Sequence, residues 1–342
     1  MSTVQDLSKA SLREIWRAAK SQAPPAAWAH MTGTAETGST HRRNLRIFRS
    51  LLLKQRVLTG TSDADTSIDL FNQRLRSPIL VAPIGSFYMI RPEADREVTE
   101  GAAQGGSMLF VSHASKTTVE GYAQEPHPPL VWMGYHMFGH EEVLAIAKQA
   151  ETLGYAAVGV TIDNTQPTKL GDTVPESSRG GTRRGYTVTP KDIEQLRRET
   201  SLPLVVKGIM CQEDARLAVE AGADAVIVSN HGGRIADYSR SALEALPEVV
   251  EAVGRKSVVL ADSGFRRGTD ILKALALGAK AVLVGRPVWC GAAAGGAEGV
   301  TRVLEILREE LRRSLVLCGV SSVDRVSREI LIVDRDSPIQ LN

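Results

Sequence analysis

The sequence predicts a (β/α)8 barrel preceded by a helical extension. From about residue 78 onward, short apolar runs rich in β-branched residues alternate with amphipathic segments. Each run is almost continuously hydrophobic, which is typical of a parallel strand covered on both faces. Eight such similar units favour a closed barrel over a doubly wound sheet, the alternative architecture. The predicted strands lie at 78–85, 107–112, 129–135, 156–163, 203–209, 224–230, 257–264 and 281–287.

Three regions are predicted along the chain. Residues 1–77 form an N-terminal extension that we expect to pack on the barrel as a lid or plug, residues 78–325 form the barrel, and residues 326–342 form a polar tail. In the extension, "LREIWRAAK" predicts a helix, and "HRRNLRIFRSLLLKQRVL" predicts a helix that runs into an extended segment. After the last strand, "GAEGVTRVLEILREELRRSLVLCG" predicts one long amphipathic helix.

A long polar segment, at about 164–190, separates the fourth predicted strand from the next helix. It is rich in Gly, Ser, Thr and Arg and is too long for an ordinary connection, and such loops tend to be functional. Because it follows a strand, it would lie at the C-terminal face of the barrel, where active sites are built. We therefore expect it to be an active-site loop.

The composition is that of an ordinary globular protein. Of the 342 residues, 43% are hydrophobic and 23% charged, and the net charge of +2 does not indicate a nucleic-acid partner. The three cysteines have no metal-ligand spacing, so we expect reduced thiols, no bound metal and a cytoplasmic location. The charged N-terminus does not resemble a signal peptide, and no apolar run of roughly 18 residues predicts a membrane span.

Polar side chains recur at the predicted C-terminal strand ends, where barrels place catalytic groups. In "VSNHGGRIAD" (228–237), His231 and Arg234 follow an apolar strand, although a polar loop with a satisfied histidine is the alternative interpretation. Lys207 lies inside "PLVVKGI", where a buried ammonium is costly without a partner, unless it reaches the surface. The other strand-end candidates are Tyr135, Thr161, Asp163, Ser229, Asn230, Asp262, Gly285 and Arg286.

The ends of the last two predicted strands have the features of a phosphate site. "ADSGFRRGTDILKALALG" and "VGRPVW" supply glycines, arginines and a helix N-terminus at the usual phosphate-binding place of barrels. Arg266, Arg267 and Arg286 would add bidentate contacts, and a solvated turn is the alternative. Together with the inward Lys207, these features predict a phosphate-bearing cofactor across the barrel mouth. The spacing of these residues does not specify which cofactor it is.

Four segments resemble the FMN-dependent α-hydroxy acid oxidase and dehydrogenase family: "VKGI", "SNHGGR", "LADSGFRRGTDILKALALGAKAVLVGRP" and "LCGVSSV". The resemblance is dense from about 200 to 325, recognisable from 78 to 165 and weak before that. It implies an FMN cofactor, oxidation of an L-2-hydroxy acid to the 2-oxo acid, and reoxidation by O2 or a redox partner. It also implies a homo-oligomer, by analogy a tetramer.

The resemblance implies roles for the matched residues. His231 would be the base, taking a proton from the α-carbon or from the hydroxyl as hydride leaves for flavin N5, and Asp163 would stabilise its imidazolium. Arg234 would hold the substrate carboxylate, Tyr135 would hydrogen-bond the carboxylate or the reacting oxygen, and Lys207 would lie near flavin N1. The FMN-binding set would be Ala82, Pro83, Ile84, Ser112, Met133, Thr161, Lys207, Ser229, Asp262, Ser263, Gly264, Arg266, Gly285 and Arg286.

Departures from the family pattern lie on the substrate side. Ala29-His30 stands where the family has a tyrosine pair, Ala114 where it often has an aromatic residue, and Met133 where it has a glutamine. The second substrate arginine is out of register, and its candidate replacements are Lys169, Arg179, Arg183 and Arg184.

These losses enlarge the predicted pocket, so an alternative function is the same flavin chemistry on a larger alcohol or amine. Two further alternatives are a catalytically silent FMN-binding barrel and a phosphosugar-type barrel without flavin. The first would not need the full His231, Arg234, Asp163, Lys207 and Tyr135 set, and the second gives no reason for "SNHGGR".

Overall fold

The central feature of the computed structural model, which describes residues 6–135, 138–165, 186–334 and 337–339, is a closed barrel of eight parallel strands. Each barrel strand pairs with its neighbours in sequence, and the last pairs with the first. This confirms the predicted fold class and all eight predicted strands. The barrel strands are β4 (Ile79–Val81), β5 (Leu109–Ser112), β6 (Leu130–Gly134), β7 (Ala157–Thr161), β8 (Leu204–Ile209), β9 (Ala225–Val228), β10 (Val258–Ala261) and β11 (Ala281–Val284).

The helices surround the barrel and bury their apolar faces against it. Three of them, α1, α7 and α9, begin with a capping box in which the N-cap side chain and the third helical residue satisfy each other's backbone N–H groups. The α-helices are α1 (Leu12–Gln22), α2 (Pro25–Thr32), α3 (Ser39–Arg46), α4 (Ala94–Gly105), α5 (Val119–Tyr122), α6 (His140–Thr152), α7 (Pro190–Glu199), α8 (Gln212–Glu220), α9 (Ala242–Val253), α10 (Gly268–Ala276) and α11 (Arg286–Leu317). Short 3-10 helices occupy Leu7–Lys9, Ile47–Ser50, Phe87–Met89, Val323–Arg325 and Arg328–Ile330.

Helix α11 differs from the single helix predicted after the last strand. It begins at Arg286, directly after β11, and is kinked at Gly295 and Gly296, where Gly296 has a φ of +58°. The two halves meet backbone to backbone, since a Cβ on Gly299 would lie 2.1 Å from the Gly291 carbonyl oxygen. The kink therefore depends on glycines both for its backbone conformation and for the close packing of the two halves.

The N-terminal and C-terminal segments meet at a small sheet outside the barrel. Strand β1 (Leu51–Leu53) pairs antiparallel with β12 (Leu331–Val333), so the segment predicted as a polar tail includes a strand. Strands β2 (Ile68–Leu70) and β3 (Gln73–Leu75) form a hairpin before the barrel. Within the described ranges, no helix combines the length and the apolar character needed to cross a membrane.

Strand β8 contains a bulge directly after Lys207, near the C-terminal end of the barrel strands. The register between β8 and β9 shifts between Lys207 and Ile209, and Gly208 has a φ of +111°. A Cβ at Gly208 would lie only 2.8 Å from the Cβ of Asp163. Glycine is thus required here both for the backbone conformation and for the close approach of β8 to Asp163.

Candidate active site

The loop after β9 holds His231 in an unusual backbone conformation. His231 has a φ of +56°, in the left-handed region that residues with a Cβ seldom adopt. Its backbone N–H donates to Ser229 Oγ at 3.1 Å, and the next N–H, of Gly232, donates to Ser263 Oγ at 3.0 Å. Two buried serine hydroxyls therefore hold consecutive peptide groups at the histidine.

His231 and Asp163 form a hydrogen-bonded pair at the barrel mouth. The imidazole Nδ1 lies 3.0 and 3.2 Å from the two oxygens of the Asp163 carboxylate. Burial would raise the pKa of this carboxyl, but the nearby His231 and Lys207 outweigh burial and lower it. The ionised carboxylate accepts only, so Nδ1 carries the proton and Nε2 is left as the acceptor.

Lys207 is an inward-facing ammonium with two polar partners. Its side chain is 4% exposed, and Nζ donates to Ser229 Oγ at 3.0 Å and lies 3.5 Å from Asp262 Oδ2. Burial would lower the pKa of Lys207, but the carboxylates of Asp262 and Asp163 outweigh burial and raise it. The lysine is therefore charged and sits inside the barrel mouth rather than reaching the surface.

Tyr135 follows β6 and lies beside the histidine. The centres of the Tyr135 and His231 rings are 6.5 Å apart, and the tyrosine is 6% exposed. Burial raises the pKa of its phenol, against the opposing effect of Lys207. The phenol is therefore neutral near pH 7 and can donate a hydrogen bond to an anion or an oxygen in the mouth.

Arg234 ties the His231 loop to the N-terminal extension. Its Nη1 donates to the backbone oxygens of His30 at 2.7 Å, Gly33 at 3.2 Å and Met31 at 3.4 Å, at the end of α2. Burial lowers the pKa of this guanidinium to about 10, so it remains charged at neutral pH. In the described part of the chain, Nε and Nη2 have no hydrogen-bond acceptor, which leaves them available to a carboxylate.

Two further arginines, the half-buried Arg266 and the buried Arg286, form no ion pair with a carboxylate among the described residues. Arg286 donates to the backbone oxygens of Met31, Gly33 and Gly232 at 3.0–3.1 Å. Burial lowers the pKa of Arg286, and the positive charges of Arg266 and Arg234 lower it further. Asp270 and Asp262 offset part of this charge without forming ion pairs to the two arginines. Concentrated positive charge beside the N-terminus of α10 fits the phosphate group expected there.

The hydroxyl of Thr161 is a second feature that fits a cofactor. Thr161 ends β7, is 2% exposed and lies in register with Lys207 on β8. Its Oγ1 is fully buried and makes no hydrogen bond of standard geometry in the described structure, although the hydroxyl lies near enough to the Tyr135 phenol to lower the pKa of that phenol. Buried polar atoms are seldom left unpaired, so this atom, the Lys207 ammonium and the two arginines form a donor set suited to a polar, phosphate-bearing cofactor.

The remaining predicted cofactor residues lie at the same barrel end. Ala82, Pro83 and Ile84 follow β4, and a Cβ added at Gly285 would lie 3.6–3.7 Å from Ile84 and Ala82 side-chain atoms.

Ser112 ends β5, and its Oγ accepts from the Ala114 N–H at 3.2 Å. Met133 is fully buried on β6, against Gly159 of β7. Gly264 follows β10 with a φ of +100°.

Two residues of the site, His41 and Asn44 on α3, carry no signal in the sequence. Asn44 on α3 and Asn230 exchange side-chain amide hydrogen bonds of 2.8 and 2.9 Å, which fastens α3 to the His231 loop. His41, also on α3, is packed beside the arginines, where burial, then Arg286 and Arg266, lower its pKa to about 4. Nothing in the local sequence of α3 indicates that it meets a loop almost 190 residues later. The predicted loop candidates Lys169, Arg179, Arg183 and Arg184 lie outside the described residues.

The barrel, the His231–Asp163 pair and the unpaired arginines are those of a barrel enzyme with a base and a site for a phosphate-bearing cofactor. The chain matches the model of the FMN-dependent dehydrogenase family over residues 19–173 and 165–333, and it belongs to that family. Membership confirms the predicted FMN cofactor and the predicted class of enzyme, an oxidoreductase acting on the CH–OH group of 2-hydroxy acids.

Known relatives resemble the chain over nearly its whole length. It is 35% identical to the peroxisomal (S)-2-hydroxy-acid oxidase GLO4 of Oryza sativa subsp. japonica, covering 97% of this chain and 98% of the relative. It is 31% identical to the glycolate oxidase of Spinacia oleracea, covering 96% and 97%. A crystal structure of mandelate oxidase with (S)-4-hydroxymandelic acid superposes with a TM-score of 0.86 at 31% identity, covering 95% and 99%.

Proposed function

We propose that the protein oxidises an (S)-2-hydroxy acid to the 2-oxo acid, with His231 as the base. The observation that carries this proposal is the 3.0 Å pairing of His231 Nδ1 with the largely buried Asp163 carboxylate, which in the neutral imidazole leaves Nε2 as the proton acceptor. In the overall reaction the substrate loses two electrons and two protons, with one hydrogen leaving the α-carbon and one leaving the hydroxyl. When bound, FMN would supply the acceptor for the two electrons.

The surrounding residues have complementary tasks. The free N–H groups of Arg234 would bind the substrate carboxylate, and the neutral phenol of Tyr135 would donate to that carboxylate or to the reacting oxygen. His231 would take the proton from the hydroxyl or from the α-carbon, and the Asp163 carboxylate would stabilise the imidazolium that results. The Lys207 cation would favour negative charge on the cofactor beside it.

Phosphate binding would be the task of the arginines after β10 and β11. Arg266 and Arg286 lack carboxylate partners in the described structure, which supports this assignment, and the N-terminus of α10 adds backbone donors. Ser112, Met133, Thr161, Ser229, Asp262, Ser263, Gly264 and Gly285, with the backbone at Ala82, Pro83 and Ile84, would complete the cofactor site.

An aromatic hydroxy acid is the favoured substrate class. A methyl group at Ala114 stands where the family often has an aromatic side chain, which would enlarge the substrate pocket, and a related mandelate oxidase has been crystallised with (S)-4-hydroxymandelic acid. A larger alcohol or amine is less well supported, because neither would use the free N–H groups of Arg234. O2 is the proposed electron acceptor, since the named relatives are oxidases.

The deciding experiment is an anaerobic visible spectrum of the FMN-loaded protein before and after addition of glycolate, L-lactate or (S)-mandelate. We expect the flavin bands to bleach, and to bleach fastest with (S)-mandelate. Bleaching only with glycolate or L-lactate would overturn the substrate class while keeping the reaction. Bands that stay oxidised with all three acids would contradict the proposed function, and a protein that cannot be loaded with FMN would contradict the cofactor site.

The cellular context is a further part of the proposal. We propose a cytoplasmic homo-oligomer, tetrameric by analogy with the family, whereas the printed name of the rice relative places that protein in peroxisomes. Light scattering on the purified protein would measure the number of copies, and a monomer would contradict the oligomer. Fractionation of the cells that make the protein would test the location.

A further inference from the structure

Ser263 combines an unfavourable backbone conformation with a buried hydroxyl that both donates and accepts a hydrogen bond. It follows β10 with a φ of +75°, in the region that favours glycine, and it is 8% exposed. Its Oγ donates to Asp262 Oδ1 at 2.6 Å and accepts from the Gly232 N–H at 3.0 Å. A serine at a glycine-type position is tolerated where the side chain has a task that glycine cannot perform.

The two partners of Ser263 belong to opposite sides of the candidate site. Gly232 follows the proposed base directly, so its N–H is part of the peptide group that joins it to His231. Asp262 lies, through its other oxygen Oδ2, 3.5 Å from Lys207 Nζ. Ser263 therefore connects the His231 loop to the Lys207–Asp262 ion pair.

A second serine makes the same connection from the other side. Ser229 is fully buried; its Oγ accepts from Lys207 Nζ at 3.0 Å and from the His231 N–H at 3.1 Å. The hydrogen bonds and the ion pair thus form a closed ring that runs from Lys207 through Ser229, the His231–Gly232 peptide, Ser263 and Asp262 back to Lys207. The ring holds both peptide N–H groups that flank the α-carbon of His231.

We propose that Ser263 is a positioning residue for the reaction: its hydroxyl locks the Gly232 peptide to Asp262 and thereby holds His231 in its left-handed conformation, with Nδ1 on Asp163 and Nε2 towards the substrate. Ser263 does not itself touch the reacting atoms in this account. The proposal rests on the proposed function for its kinetic consequences, but the hydrogen bond at Gly232 is a property of the protein alone.

The backbone conformation of Ser263 makes a clean test possible. Ser263→Gly removes the hydroxyl and relieves the strain of the positive φ, so it is expected to fold and to melt at or above the wild-type temperature. Ser263→Ala removes the hydroxyl and keeps the strain, so it is expected to melt lower. Both variants should lose the positioning function equally, although their stabilities change in opposite directions. This comparison separates the effect of the hydroxyl on the reaction from its effect on stability.

The expected kinetic result for FMN-loaded Ser263→Gly with (S)-mandelate is a fall in kcat of about tenfold or more with little change in KM. The isotope effect of α-deuterated mandelate should rise, because a misplaced base slows the chemical step. Asn72→Gly is the matched control: Asn72 has a φ of +58° in the β2–β3 turn, away from the ring, and its variant should gain stability without any kinetic change.

Hydrogen–deuterium exchange of the Gly232 N–H gives a readout that does not depend on turnover. We expect faster exchange in the peptide around 228–237 in Ser263→Gly and unchanged exchange there in Asn72→Gly. If the wild-type protein oxidises no hydroxy acid, the proposed function is contradicted. In that case, faster exchange in Ser263→Gly than in the wild type would still support the locking hydrogen bond. Unchanged exchange, or unchanged kcat in an active enzyme, would overturn the proposal.

Discussion

At the scale of single residues, the most informative feature is the backbone of His231. A left-handed conformation at a residue with a side chain costs about 1–3 kcal/mol, and it persists only where surrounding contacts hold it. Here those contacts are two serine hydroxyls and the Asn44–Asn230 amide pair. The strain is thus placed at the residue whose orientation matters most for proton transfer.

Replacement of His231 by glutamine should remove the base while keeping a side chain of similar length. Loss of a positioned base is expected to lower kcat by about a hundredfold to ten-thousandfold. FMN binding should be retained, since the cofactor donors lie on other side chains. Steady-state oxidation of (S)-mandelate and flavin absorbance measure the two effects.

The matched control is His127→Gln, a change to a histidine that pairs with Glu125 outside the site. It should leave kcat unchanged. Turnover by His231→Gln at the wild-type rate would refute the assignment of the base, whatever the control shows.

At the scale of elements, glycines decide how closely the chain can pack. The bulge at Gly208 lets β8 approach Asp163, and Gly291 and Gly299 let the two halves of α11 meet. Helix α11 packs in turn on α4, where a Cβ at Gly101 would lie 2.6 Å from the Ala297 carbonyl oxygen. These contacts set the position of the segment that follows β11 and therefore of Arg286 at its start.

Gly299→Ala tests this packing, because two effects of opposite sign compete. Alanine in a helix interior should gain up to about 1 kcal/mol in helix propensity. Its Cβ, however, would lie 2.1 Å from the Gly291 backbone oxygen, which cannot move without moving the helix. We expect the steric cost to win and the free energy of unfolding to fall by about 1–3 kcal/mol.

Urea denaturation measures this change in stability. Glu298→Ala, at the exposed neighbouring position of α11, is the control and should change stability by less than about 0.5 kcal/mol. A Gly299→Ala protein as stable as the wild type would show that the two halves of α11 can separate at no cost.

At the scale of the whole molecule, the N-terminal extension and the barrel meet at the charged centre of the site. Arg234 and Arg286, from two different strand ends, donate to the end of α2, and α3 is fastened to the His231 loop. Excess positive charge is therefore buried between the two parts. A bound phosphate would neutralise part of it and should stabilise the entire fold.

FMN is accordingly expected to raise the melting temperature of the apoprotein. A ligand at a hundred times its dissociation constant stabilises a protein by about 2.7 kcal/mol. Riboflavin, which lacks the phosphate, should give a much smaller shift at the same concentration. Differential scanning calorimetry of apoprotein with either compound makes the comparison.

Adjacent arginines supply the control for this prediction. Arg266 has no carboxylate partner in the described structure, whereas Arg267 forms a 2.5 Å ion pair with Glu310. Arg266→Ala should reduce the FMN shift towards that of riboflavin, and Arg267→Ala should retain most of it. Equal shifts with FMN and riboflavin in the wild type would argue against a phosphate site at these arginines.

The sequence by itself determined the barrel and the strand ends that carry the site. Continuous apolar runs specify strands buried on both faces, and parallel strands in a barrel direct their C-terminal ends to one side. The positions in the chain therefore assigned three residues to the same end of the barrel: His231, Lys207 and Asp163. The "SNHGGR" and "RRGTD" segments indicated the family.

Only the tertiary structure decided which groups meet around those residues. The Asn44–Asn230 pair, the docking of α2 on Arg234 and Arg286, and the hydroxyl of Ser263 between Gly232 and Asp262 join segments from 31 to 255 residues apart. Local secondary-structure propensity carries no information about such contacts, because they depend on how elements distant in the sequence pack in three dimensions. The left-handed backbone of His231 follows from the same packing, since Ser263 after β10 and Asn44 on α3 contribute to the contacts that hold it.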